Sequence, residues 1–176
     1  MTDAHDPHAA WQKVVESLKA PAHTAELPSL FAAFPDAHVV HLHRDVVQTV
    51  TSGASLFAVF RSTYSDAVDP SEVGRYQLET TATWFDRARQ ARQHLPHNAF
   101  TDIAFNDLVA DPIATATKIC KACDVPWTTA TQEAAQARLA SLREKHGTHR
   151  YTAQDFGLDP DEIRARLADY STAFGL

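Results

Sequence analysis

An arginine at the end of a short apolar run, with a serine about two helical turns further on, is the best-placed anion-holding pair in this sequence. The stretch is FPDAHVVHLHRDVVQTVTS, residues 34–52. A turn leads into a β-rich run whose Val39, Val40 and Leu42 predict a buried strand. A helix opens at Asp45, with Gln48 at capping-box spacing. In open parallel sheets ligands bind outside the carboxyl ends of the strands, where Arg44 falls. The first amides of the following helix add partial positive charge there. A guanidinium fork with the Ser52 hydroxyl suits a phosphate. The residues leave a second arrangement open, in which Arg44 pairs with Asp45 or another surface carboxylate and contributes little.

Other reactive side chains point less clearly to chemistry. Cys120 and Cys123 form a C-x-x-C spacing used in redox and zinc sites, yet they recur with Ile113 and Ala116 at helical intervals. That pattern predicts two thiols packed toward the core. Histidines pair at His5/His8, His94/His97 and His146/His149. Pro96 separates the middle pair, that pair has no cysteine or acidic third ligand beside it, and the reading is of no metal site.

The elements needed to position these groups follow from periodicity. HAAWQKVVESLKAPAH reads either as a helix or as a strand entering a loop. A short helix follows, with Leu27, Leu30, Phe31 and Phe34 on one face. The helix from Asp45 should end near Arg61, and a long one should run from about Arg75 to His94. NAFTDIAF is a second strand, and DPIATATKICKACDV a helix with Pro112 in its first turn. Residues 130–145 read as a helix, HGTHRYTAQDFGLDP as a loop, and DPDEIRARLADYSTAF as one closing helix. Short apolar strands alternating with longer helices predict an α/β fold with a parallel sheet flanked by helices and a helix-rich C-terminal part.

The totals narrow the class. A chain of 176 residues suffices for one domain, and 44% hydrophobic with 22% charged residues is ordinary globular composition. A net charge of −6 argues against a nucleic-acid partner. No apolar run is long enough to span a bilayer, and MTDAHDPHAAW is no secretion signal, so a cytoplasmic protein is expected.

Four blocks in order, LKAPAH, FPDAHVVHLHRDVVQTVTS, FNDLVADP and HRYTAQDFGLD, resemble the C-terminal half of a bacterial sulfotransferase of the P-loop-fold type, from about residue 18 to 176. The resemblance implies a partial P-loop-type sheet and a 3′-phosphoadenosine 5′-phosphosulfate (PAPS) co-substrate. Arg44 and Ser52 match the arginine and serine that hold the donor's 3′-phosphate. His23 is similar to the base toward the acceptor hydroxyl, at a different offset from Lys19, which matches the lysine near the sulfonate. A base that takes the hydroxyl proton and cations that steady the bridging oxygen suit such a transfer. Where the family commonly has a tyrosine and an acidic residue before DL, this chain has Phe105 and Asn106. The tyrosine hydroxyl's bond is lost, while the Phe105 ring could still stack on adenine. Arg150, in the block resembling the family's closing loop, is a candidate second phosphate contact or a solvated arginine.

The family's first half should bring a phosphate-cradling loop. The five glycines, Gly53, Gly74, Gly147, Gly157 and Gly175, form no such loop, and no G-x-x-x-x-G-K-[ST] occurs. Residues 1–176 are therefore expected to be one incomplete sulfotransferase-like domain, inactive or incomplete alone, and either poorly stable or paired with a second chain that completes the sheet. The acceptor class spans small molecules, glycans and lipids. Alternatives from other classes are a non-catalytic nucleotide-binding or interaction module and a P-loop kinase relative.

Overall fold

Two five-residue strands, β1 (Val39–His43) and β2 (Phe100–Ala104), lie side by side in parallel, with Val39 opposite Phe100 and His43 opposite Ala104. The computed structural model describes residues 21–143 and 151–176. Lys19, Arg150, the HAAWQKVVESLK stretch and the His5/His8 and His146/His149 pairs lie outside the described residues. The helices are α1 (Leu27–Ala33), α2 (Val46–Ser62), α3 (Pro70–Arg92), α4 (Phe105–Ala110), α5 (Pro112–Ala122), α6 (Thr129–Arg143), α7 (Pro160–Arg166) and α8 (Ala168–Phe174). The α/β reading holds: a parallel sheet with helices between and after its strands.

β1 buries His43 and half-buries Val39 and His41 but leaves Val40 and Leu42 exposed, against the expectation of a buried apolar run. Val40 and Leu42 are 37% and 44% exposed, while His43 is 4% exposed. Alternation along a strand puts His41 and His43 on one face, and there the rings find aromatic and polar partners. One edge of β1 pairs with β2; the other has no partner among the described residues.

The core forms between α2, α3 and the C-terminal segment. Val46, Val50 and Ala54 of α2 meet Leu78 and Ala82 of α3, together with Ala153, Phe156, Leu158, Ile163, Leu167 and Tyr170. The turn at Phe156 comes so close to α3 that a Cβ on Gly74 would sit 2.1 Å from the Phe156 carbonyl oxygen. Gly157 follows with φ of 63°, a left-handed value that glycine adopts without steric cost. In α1, Leu27 and Phe31 are buried but Phe34 is exposed, because the helix stops at Ala33.

Capping fixes the helix starts. Asp45 accepts from the Gln48 amide at 2.9 Å, Asp69 from Ser71 at 2.9 Å and Asp111 from Ala114 at 2.9 Å. The Asp69 cap followed by Pro70 starts α3 a turn earlier than its apolar pattern suggests. The closing helix is two helices, broken at Leu167, whose ψ of 17° departs from helical geometry. In α5 the buried residue is Thr115; Cys120 and Cys123 are free and only half-buried. Burial, then the neighbouring Cys120 and Asp124, raises the Cys123 thiol, which keeps it protonated and poorly nucleophilic.

Candidate functional site

Arg44 leaves β1 at its carboxyl end, directly before the cap of α2. Its guanidinium lies 4.6 Å over the centre of the Phe105 ring, the first residue of α4 after β2. Its Nε donates to Gln48 Oε1 at 3.0 Å. Among the described residues neither Nη atom of Arg44 is engaged, and Asp45 serves as the helix cap and not as its ion-pair partner. The sequence left that choice open; the structure decides for a half-exposed, presented arginine.

Arg44 and Phe105 are thus brought together, with the ring supporting the guanidinium. Ser52 lies in the second turn of α2 and is half-buried. His23 sits in the 3-10 turn Pro21–Ala25, which packs against α3. Its ring makes no hydrogen bond among the described residues.

Next to Arg44 lies a network that the local sequence patterns did not reveal. His43 Nε2 is 2.7 Å from Asp102 Oδ1, and His43 Nδ1 is 2.7 Å from the Tyr170 hydroxyl. Arg92 donates to both Asp102 oxygens, at 2.7 Å each, and lies 3.2 Å from His41 Nδ1. Phe174 stacks on His43 with centroids 4.0 Å apart, and Phe85 stacks on Tyr170 at 3.7 Å. The H-x-H alternation in HLH was the one available signal, since a strand turns such a pair onto one face. Arg92, Asp102 and Tyr170 arrive from three distant elements and carry no local signature.

The electrostatics follow from burial and that guanidinium. Burial lowers His41 to about 4, helped by His43 and Arg92 and opposed by Asp102. His43 is also lowered, by burial first, while its bond to Asp102 pulls the other way. Burial works to raise Asp102, but the hydrogen bonds from Arg92 and His43 and the Arg92 charge bring it down to about 2. Burial and the Asp102 charge push the Tyr170 phenol up, so it stays protonated. The ligating atoms of His41, His43 and Asp102 lie within 4.8 Å of one another, a grouping that could suggest a metal. However, both Asp102 oxygens and both His43 nitrogens are already bonded, and Arg92 occupies the place of the cation.

Comparison with known proteins adds the family. The model described as "Sulfotransferase family" matches residues 1–129. The solved sulfotransferase STF9 from Mycobacterium avium is similar over 91% of this chain and 42% of its own, at 25% identity and a TM-score of 0.76. Sulfotransferase STF1 from Mycobacterium tuberculosis H37Rv is similar over 86% of this chain and 39% of its own, at 29% identity and a TM-score of 0.69. The chain therefore spans about two fifths of the length of each. No curated protein matches the sequence.

Proposed function

Because the chain belongs to the sulfotransferase family, we propose that it carries the 3′-phosphate half of a PAPS site, in a protein that moves a sulfonate group from PAPS to a hydroxyl or amine acceptor. One observation carries this reading: Arg44 stands at the carboxyl end of β1, braced by Phe105 and Gln48, with both Nη groups unengaged among the described residues. A braced fork loses little freedom on accepting a phosphate, which favours tight bidentate contact. The amide end of α2 adds to the field, and Ser52 is the second candidate contact. Arg150 is a third.

On this reading His23 takes the acceptor proton as its oxygen or nitrogen attacks sulfur. Lys19 steadies the charge that develops on the bridging oxygen, and adenosine 3′,5′-bisphosphate leaves. The 5′-phosphosulfate clamp would come from polypeptide beyond these residues, whether the same protein or a second chain, and without it the described part is inactive. The open edge of β1 supports a sheet that continues there, and the exposed Val40 and Leu42 support a further layer over that face. Small-molecule, glycan and lipid acceptors all fit the chemistry. A charged nucleotide donor places the reaction in the cytoplasm on the same reading. No helix among the described residues is long and apolar enough to cross a membrane.

Titration calorimetry with adenosine 3′,5′-bisphosphate tests the proposal. Binding is expected for the native chain and should be lost in Arg44→Ala. A well-folded chain that binds none, or an Arg44→Ala variant that binds equally well, overturns it.

A further inference from the structure

His43 is the last residue of β1, and Arg44 follows it directly. In a strand, neighbouring side chains point to opposite faces, so the orientation of one fixes the direction in which the next departs. The His43 ring is 4% exposed and has no spare polar atom: Tyr170 holds one nitrogen and Asp102 the other. Asp102 is itself gripped at both oxygens by Arg92, and Arg92 rests against the Phe100 and Phe174 rings at 4.3 and 5.1 Å.

The donor roles are forced. An ionised Asp102 only accepts, so the hydrogen sits on His43 Nε2, and the Nδ1 lone pair accepts the Tyr170 hydroxyl. A neutral ring in this one tautomer satisfies every polar atom in the chain of bonds. The charged and titratable groups facing it are His41 from β1, Asp102 from β2, Arg92 from α3 and Tyr170 from α8. Ala104 is the register partner of His43, and the residue after Ala104 is Phe105. Both members of the Arg44–Phe105 stack therefore spring from the two residues where the tied strands end.

We infer that the chain of bonds Arg92–Asp102–His43–Tyr170 makes His43 a positioning residue for the Arg44 anion site. It holds the last peptide of β1 in one rotation, so the guanidinium stays over Phe105 with its fork outward. The inference rests on Arg44 being the phosphate-binding residue. It adds that the far C-terminal helix α8, through Tyr170, controls how well that residue is presented.

Tyr170→Phe removes one hydroxyl and leaves the stacked rings in place. It should weaken adenosine 3′,5′-bisphosphate binding about fivefold in the native background, but less than about twofold in Arg44→Lys, because its effect passes through the fork. In the ligand-free protein, NMR should show the His43 Nδ1 resonance shifting as its hydrogen bond is lost, with the Nε2–H still held by Asp102, and the Phe105 ring resonances moving. Equal weakening in both backgrounds, or unchanged affinity with unmoved Phe105 resonances, overturns the inference. If the native chain binds no ligand at all, the phosphate reading falls, and the Phe105 resonances alone decide on positioning. Asp102→Asn, which breaks the chain at its other end, provides the same reading should Tyr170→Phe fail to fold.

Discussion

Acidification should destabilise this protein well before its carboxylates titrate, and His41 supplies most of the effect. The ring is half-buried and lies beside Arg92, which brings it from the ordinary 6.5 to about 4. Because the folded value is lowered, the unfolded chain binds a proton first. The stability is therefore fully present above about pH 6.5 and drains away as the pH falls toward 4. At pH 5 an ordinary histidine is almost wholly protonated while His41 is almost wholly neutral. The difference between those populations amounts to about 2 kcal/mol. His43 shifts in the same direction and adds to it. Asp102, lowered from 3.8 to about 2, contributes stability that is lost only as the pH falls below that ordinary value, so it does not enter this window. For a domain stable by roughly 5–15 kcal/mol the loss is a large fraction. Urea unfolding at pH 7.5 and 5.0 reads it directly, and about 1 M of midpoint should disappear. His41→Asn keeps an acceptor near Arg92 but cannot titrate, so its midpoint should move much less between the two pH values. An equal fall in native and variant proteins, or no fall in either, would refute the assignment of His41 as a buried neutral ring.

Three stability tests address the packing. Gly74→Ala places a methyl against the Phe156 carbonyl, which belongs to the backbone and cannot swing aside, so a loss of about 3 kcal/mol in urea unfolding is expected. Gly157→Ala should cost about 1 kcal/mol or more, through its positive φ and the Ser71 hydroxyl 2.6 Å from the new Cβ. Ile163→Ala empties a fully buried place in the core and should cost about 2–5 kcal/mol, seen as a lower thermal midpoint with unchanged far-ultraviolet circular dichroism at 20 °C.

The elements that carry their own local signals were legible in the sequence. Asp45 with Gln48, and Asp111 with Pro112, announce helices that begin where those residues sit. The strand that leads into Arg44, and its place before a helix, follow from the apolar run and the cap. The face of that strand does not. Val40 and Leu42 argue for one side by hydropathy, yet the His43 side wins the interior because Tyr170, Asp102 and Phe174 satisfy that ring there. Those partners are separated from it by long stretches of chain, so no window of sequence contains the reason. Likewise Phe105 could be picked out only through the family resemblance, as a ring proposed to stack on adenine, and its use as a brace for Arg44 depends on the parallel register of two strands. The break at Leu167 was invisible because its flanking residues keep one amphipathic period.

The core described above joins the middle of the chain to its end, and this governs when folding can finish. Leu78 and Ala82 find their partners in Phe156, Leu158 and Ile163, across an intervening loop of roughly 80 residues whose closure costs entropy before any contact repays it. α5 and α6 lie within that loop and outside the core cluster. On a ribosome, α2 and α3 lack these core partners until residues 153–170 emerge. A nascent chain stays open over this stretch, exposed to chaperones and proteases, until those residues have been made.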